Sequence, residues 1–449
     1  MISEVAIVTG AALIGISAWL GFGLSFLLQS SAYRTAAMLF ALVMVICMGI
    51  AGMYQIGKCN NLWASFLRLV PAGALAIAVM TLLVMFVPTL PFDEKGLSLV
   101  SAFSLAGVTM SRTLFSHSLK NASLRTKILF LGTGAVAKEC KDLILESNLE
   151  RKYEVIGYVP MACEQSTIIL NDLILQEKNS LKEIAERYGV NEVVVSVDNR
   201  RGGTFPIDEL LQCKLHGIKV IDATAFFERE LRQIRIDSLQ PSWLVFGGGF
   251  DQSLFRVACK RTVDIVMSTL LCFLTWPLLL ATAAAIYIED RGPIFYRQER
   301  VGLGGVGFMV LKFRSMRKDA ESSNKPQWAS SNDDRATTVG RFIRKYRIDE
   351  IPQIINVLSG DMSFVGPRPE RPFFVTKLIE DVQFYDVRHS IKPGITGLAQ
   401  VRYQYGASVA DAIQKLQYDL YYVKNNSLSL DAMILFETLH VVLFGKGAR

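Results

Sequence analysis

Two adjacent carboxylates, Asp349 and Glu350, stand in a run crowded with cations, TVGRFIRKYRIDEIPQIINVLSGDMSFVGPRP (338–369). Arg341, Arg344, Lys345 and Arg347 approach the pair from its N-terminal side. Positive neighbours lower a carboxyl pKa, so both acids are expected to stay ionised well below neutral pH. Pro352 follows two residues later, and proline fits a helix without cost only in its first turn. A helix through Gln353–Leu358 is therefore predicted to begin near Asp349. Unpaired N–H groups and the positive dipole end at such a terminus suit a phosphate, or a carboxylate that attacks one. Downstream, Arg368 is clamped between Pro367 and Pro369, a stiff planar fork suited to a diphosphate oxygen. Taken alone, the same residues also describe an ordinary helix cap beside a solvated basic face. The elements around them decide between the two.

Those elements sit in a chain of 449 residues, room for two or three domains. With 51% apolar residues and a mean hydropathy of +0.31, it is too oily for a wholly soluble protein. The net charge of +7, from 48 basic and 41 acidic residues, is clustered. It reads as attraction to a membrane surface and to phosphates rather than to a duplex, and no nucleic-acid module is present. Seven cysteines are scattered without a C-x-x-C spacing, and His117, His216, His389 and His440 stand apart. No disulfide framework or zinc site is expected, which places the protein in a reducing, cytoplasm-facing setting.

Residues 5–29, 35–54, 62–90 and 97–115 are four apolar runs of membrane-spanning length. The first lacks the basic n-region of a cleaved signal. Lys58 and the group Arg112, Lys120, Arg125 and Lys127 mark cytoplasmic connections, whereas Asp93 and Glu94 follow the third span. Arg34 is a small exception, and Arg68 is expected to snorkel. Residues 126–235 then alternate short apolar strands with helices, which predicts a doubly wound, Rossmann-like parallel sheet. Its turn carries Gly132 and Gly134, but Val159-Pro160-Met161 stands where a dinucleotide site needs an acid. The module is read as regulatory or dimerising, with dinucleotide binding as the other reading. PSWLVFGGGF, with Trp243, Phe246 and Gly247–Gly249, lies in a linker (236–259) expected against the bilayer interface.

The apolar stretch 265–287 is long enough for a fifth span. Lys260 and Arg261 precede it, Arg291, Arg297 and Arg300 follow it, and Pro277 interrupts it. Basic flanks on both sides and a central break predict a re-entrant hairpin over 260–290 rather than a straight crossing. The last domain, 291–449, then stays cytoplasmic as a small α/β unit, with amphipathic helices such as 411–424 lying along the membrane surface. Lys312 and Arg314 alternate with apolar residues as surface charges on a half-exposed strand would. Asp419 fits a structural salt bridge at least as well as a site role. Gly394 and Gly397 read as turn residues needing unusual backbone angles.

FYRQERVG, LKFRSM, the Asp349–Glu350 dyad, FVGPRP and PGITG, in this order behind a basic re-entrant segment, resemble the bacterial sugar transferase family. These are the monotopic polyprenyl-phosphate phosphoglycosyl transferases. The resemblance covers about residues 258–449. The N-terminal spans and sheet module are similar to the large multi-domain branch that includes undecaprenyl-phosphate galactose phosphotransferases. It implies transfer of a sugar-1-phosphate from a UDP-sugar to undecaprenyl phosphate at the bacterial inner membrane, with Mg²⁺ as cofactor and a homodimer as a possible assembly. It also implies Asp349 as nucleophile, Glu350 as the metal-associated acid, and Lys312, Arg344 and Arg368 near the phosphates. The family's Ser-Pro at the hairpin break is here Thr275-Trp276-Pro277, which keeps the proline alone.

Two other readings compete. A membrane-tethered NAD(P)-dependent sugar-nucleotide oxidoreductase or epimerase needs a Tyr-x-x-x-Lys pair, or an equivalent acid and base, in 126–235, where none occurs. A non-enzymatic membrane scaffold would leave Asp349 and Arg368 without consequence.

Overall fold

The computed structural model describes residues 2–51, 53, 62–87, 90–120, 125–161, 168–169, 173–175, 179–197, 205–236, 249–250, 252–317, 335–403, 406 and 408–444. The chain divides into two units, Met1–Glu230 and Leu231–Arg449. The expected interfacial linker, with Trp243, Phe246 and most of its glycine run, lies outside the described residues.

The first unit opens with helices α1 (Ile2–Leu20), α2 (Leu24–Gln29), α3 (Ser31–Ile50), α4 (Leu62–Phe86) and α5 (Glu94–Lys120). The first apolar run is therefore not one continuous helix. Gly21 takes φ +70°, where L side chains are strained, and the chain breaks before α2. Helices α3, α4 and α5 contain stretches long and apolar enough to cross a membrane, and α1 is a shorter apolar helix. Gly15 lets α1 approach α5 closely, since a Cβ there would sit 2.8 Å from Val100 Cα. Arg112, read from the sequence as a basic flank, pairs with Glu4 at 2.7 Å.

The alternating segments that follow form a parallel sheet of four strands, β1 (Thr126–Leu131), β2 (Tyr153–Val159), β3 (Glu192–Val195) and β4 (Lys219–Asp222), in the order β2-β1-β3-β4. Helices α6 (Ala135–Glu146), α7 (Leu181–Tyr188), α8 (Ile207–Leu215) and α9 (Ala223–Leu231) alternate with them. Successive residues of β1 face opposite ways. Leu129 and Leu131 pack with Leu181, Ile184 and Leu210 of α7 and α8, whereas Phe130 stacks on Tyr158 and meets Phe226 of α9. Both faces are thus covered, as a buried parallel sheet requires.

The second unit begins with one continuous helix, α10 (Leu254–Asp290), of 37 residues. Pro277 lies inside it rather than in a turn between two helices, and Thr275 Oγ1 donates to Leu271 O at 2.7 Å. An antiparallel hairpin follows, β5 (Phe295–Val301) and β6 (Gly307–Phe313), with Tyr296 opposite Lys312. Then come α11 (Thr338–Lys345), a 3₁₀ turn (Ile348–Gln353), α12 (Ile354–Ser359), β7 (Ser363–Val365) and α13 (Pro372–Asp381). Strand β8 (Gly394–Thr396) pairs in parallel with β7 and is followed by α14 (Leu398–Arg402), α15 (Val409–Asn425) and α16 (Leu428–Phe444).

Three expectations change here. Helix α15 does not lie along a surface. Its Leu416 and Leu420 pack with Val375, Leu378 and Tyr385, while Tyr422 packs with Val310, Met362 and Val365, so it is the central strut of this unit. Arg314 is buried rather than a surface charge, and it pairs with Asp290. Gly394 and Gly397 are absent from the positive-φ glycines. They are small because backbones meet there: a Cβ on Gly394 would lie 2.1 Å from Gly366 N, and one on Gly397 2.2 Å from Gly366 O.

Candidate active site

The acidic pair sits where α11 hands over to α12. The Thr337 hydroxyl accepts the Gly340 N–H and starts α11. Arg347 then adopts φ +55°, an uncommon region for a residue with a Cβ. That turn starts the 3₁₀ segment holding Asp349, Glu350 and Pro352, and the α-helix proper begins only at Ile354. The dyad therefore occupies a 3₁₀ turn in place of the expected first α-turn. With about three residues per turn, adjacent side chains diverge widely.

Glu350 is the clamped member. Its Oε1 accepts from Arg368 Nη2 at 2.9 Å and Lys312 Nζ at 3.2 Å, and its Oε2 lies 3.7 Å from Arg347 Nη1. Burial alone would raise this carboxyl, yet the charges of Arg368, Lys312 and Arg347 hold it well below the usual carboxylate range. Asp349 differs. Among the described residues no hydrogen bond or ion pair engages its carboxylate. Burial, and then the charge of Glu350, push it up to about 6, against the pull of Lys312, Arg344 and Arg368. The expectation that both acids ionise well below neutrality thus holds for Glu350 and fails for Asp349, because Glu350 takes the cations first. Burial likewise lowers the Lys312 ammonium, against the pull of Glu350.

Lys312, Arg344 and Arg368 are built in by residues that, Asp419 apart, the sequence reading did not single out. Asn356 of α12 accepts the Leu311 N–H at 2.9 Å and donates to Met309 O at 2.8 Å, fixing β6 and with it Lys312. Its position inside the apolar run IINVLS was the available signal. Arg344 Nε donates to Ser315 Oγ at 2.8 Å. Arg388 Nη2 donates to the Arg368 carbonyl at 2.8 Å while pairing with Asp419 at 2.8 Å, both side chains being at most 5% exposed. Asp419 is thus a structural partner, one step removed from the site. Nothing in the spacing of Arg388 pointed to that role.

The structure brings Asp349, Glu350, Lys312 and Arg368 together, with Arg344 near enough to act on Asp349 electrostatically. Among the described residues no group of three His, Cys, Asp or Glu could hold a metal, and both oxygens of Glu350 face cations. Chemically, the arrangement offers one uncommitted carboxylate among fixed positive charges, suited to attack on an anionic phosphorus.

A family profile described as bacterial sugar transferase matches residues 255–445. An Aeromonas hydrophila protein, UDP-N-acetylgalactosamine-undecaprenyl-phosphate N-acetylgalactosaminephosphotransferase, is 42% identical over 240 residues, covering 54% of this chain and 56% of that protein. The UDP-glucose:undecaprenyl-phosphate glucose-1-phosphate transferase of Caulobacter vibrioides is 41% identical over 186 residues, 41% of this chain and 69% of that one. The undecaprenyl-phosphate galactose phosphotransferase of Salmonella typhimurium is 40% identical over 203 residues, 42% of this chain and 41% of that one. The chain thus spans about half the length of the first of these and less of the last. The three names carry three different sugars.

Proposed function

Because the chain belongs to the bacterial sugar transferase family, we propose that it moves a sugar-1-phosphate from a UDP-sugar to undecaprenyl phosphate. This would be the first step in assembling an exported polysaccharide. The observation that supports it most is the division of labour in the dyad: Glu350 is tied down by three cations, and Asp349 has no hydrogen bond or ion pair among the described residues. An Asp349 oxygen attacks the phosphorus bearing the sugar, the diphosphate P–O bond breaks, and UMP leaves with the electron pair. An oxygen of undecaprenyl phosphate then attacks the same phosphorus. The bond to Asp349 breaks, the carboxylate is regenerated, and the product is a polyprenyl-diphosphate sugar. Splitting one displacement into two in this way is the use of a covalent nucleophile.

Lys312, Arg344 and Arg368 hold the phosphates and offset charge as it develops. Magnesium belongs to the same proposal. Glu350 would hold it together with donor phosphate oxygens, after releasing cation partners, and the ion would neutralise phosphate charge.

Helix α10 is read as re-entrant, with the reaction on the cytoplasmic face of the inner membrane. Straight, its 37 residues would measure about 55 Å, against about 30 Å of hydrocarbon. Yet both ends hold the same unit. Arg261 Nη2 donates to Leu358 O at 2.7 Å near the start, and Glu289 Oε1 accepts the Thr338 N–H at 2.7 Å near the end. One side of the bilayer accommodates both anchors more simply than two sides do.

The test supplies the purified full-length protein with undecaprenyl phosphate, Mg²⁺ and a panel of UDP-sugars, and follows UMP. Release with at least one sugar, and radiolabelled sugar phosphate on Asp349 when the acceptor is withheld, are expected. A folded protein that releases UMP with none of them overturns the reading.

A further inference from the structure

Helix α10 is largely an apolar, outward-facing element, with Leu270, Phe273, Leu274, Trp276 and Leu280 exposed. Asp264 on the same helix is only 4% exposed. A buried carboxylate is costly unless it is bonded, and among the described residues the bonds made by Asp264 go to one strand. Its Oδ1 accepts the Ser363 hydroxyl at 3.0 Å and the Phe364 N–H at 3.0 Å. That strand, β7, runs directly into Gly366-Pro367-Arg368.

Little slack exists between the two. The Gly366 N–H donates to Thr396 O at 2.9 Å, and Pro367 O accepts the Gly394 N–H at 3.0 Å. Arg368 O accepts from Arg388 at 2.8 Å. A Cβ on Gly366 would lie 2.4 Å from Lys392 O, so the two backbones run in close contact there. A second strut leaves the same helix. Lys260 Nζ lies 2.7 Å from Asp431 Oδ2, and the Tyr422 hydroxyl lies 2.6 Å from Asp431 Oδ1 and 3.0 Å from Val365 O. The membrane-facing helix thus grips β7 at Ser363, Phe364 and, through two intermediaries, Val365.

We propose that Asp264 is a positioning residue for the donor-phosphate site. By fixing Ser363 and Phe364 it sets where Arg368 is presented, so α10 shapes phosphate binding as well as anchoring the chain. The inference rests on the reading of Arg368 as a phosphate ligand given above. Removing the carboxylate frees the start of β7, and a misplacement of about 1 Å at a phosphate ligand costs on the order of a hundredfold in rate.

The experiment uses full-length protein in lipid nanodiscs, with two readouts: kcat/KM for UMP release and calorimetric affinity for inorganic diphosphate. Asp264→Ala is expected to lose about a hundredfold in kcat/KM, mostly through KM, and to weaken diphosphate binding. Asp264→Asn keeps an accepting oxygen and is expected to stay within about threefold of the parent. Ser363→Ala, which leaves the helix untouched, serves if Asp264→Ala does not fold, with an expected loss of about tenfold. The deciding measurement is the cycle with Arg368→Ala. If Asp264 and Ser363 act through that guanidinium, their losses shrink to about two- to threefold once it is gone. Additive losses, or unchanged diphosphate affinity in both Asp264→Ala and Ser363→Ala, overturn the proposal. If diphosphate binding shows the coupling while no UDP-sugar yields UMP, the positioning role stands and the proposed reaction falls.

Discussion

Replacing the two acids of the dyad by their amides should move stability in opposite directions. Asp349 is raised from 3.8 to about 6 in the fold. A carboxyl raised this way contributes stability that is fully present below pH 3.8 and is lost as pH rises through 6. At roughly 1.4 kcal/mol per pH unit, the ionised form costs the fold about 3 kcal/mol at neutral pH. Asp349→Asn removes that cost and breaks no hydrogen bond among the described residues. It does bury an amide beside cations, which returns about 1–2 kcal/mol. The net expectation is a gain of about 1–2 kcal/mol, or roughly 3–6 °C in melting temperature for a unit of this size. Glu350→Gln instead leaves Lys312, Arg368 and Arg347 without their anion. Breaking a buried pair costs about 3–5 kcal/mol. The low end applies here, because the Arg368 and Arg347 side chains are 31% and 33% exposed, so a fall of about 6–10 °C is expected. The assay is a thermal melt of the full-length protein in detergent with chelator present, at pH 8 and again at pH 4.5, where the gain of Asp349→Asn should shrink. UMP release should vanish in Asp349→Asn despite its stability. If both amides lower the melting temperature alike, the division into a clamped acid and a free one is wrong.

Chelation should stop UMP release and added Mg²⁺ should restore it; full activity in excess chelator would remove the metal from the proposal. Burial, then the charge of Arg388, lowers His389 from 6.5 to about 4, so its contribution to stability is present above pH 6.5 and is lost as pH falls towards 4. His389→Gln should therefore flatten the pH dependence of the melting temperature between those values, and a curve identical to the parent's would refute that. Gly394→Ala drives a methyl group to 2.1 Å from Gly366 N, and overpacking of this kind costs about 1–3 kcal/mol or more. Limited proteolysis should show the 363–369 segment opened, and undiminished protection would contradict the close-approach account.

Much of the candidate site was legible because its chemistry is local in the chain. Asp349, Glu350, Arg344 and Arg347 lie within a few residues of one another, and Arg368 is stiffened by its own prolines. The alternation of strands and helices in 126–235 was legible for a similar reason: a parallel sheet covered on both faces needs apolar strands whatever its neighbours are. The apolar runs were legible too, but their ends were not, since a positive-φ glycine at Gly21 outweighs continuous hydropathy.

What the chain alone pointed to, then, was a set of candidate reactive groups and the apolar, membrane-length segments that accompany them. Only the tertiary structure decided how those groups share the work. Whether Glu350 or Asp349 collects the cations depends on β6, pinned by Asn356, and on Arg368, pinned by Arg388. The same holds for Asp264, 104 residues before Arg368, which meets β7 only because α10 packs against it. Coulomb forces and hydrogen bonds act over a few ångströms of space, and sequence separation says nothing about those ångströms until the backbone has closed.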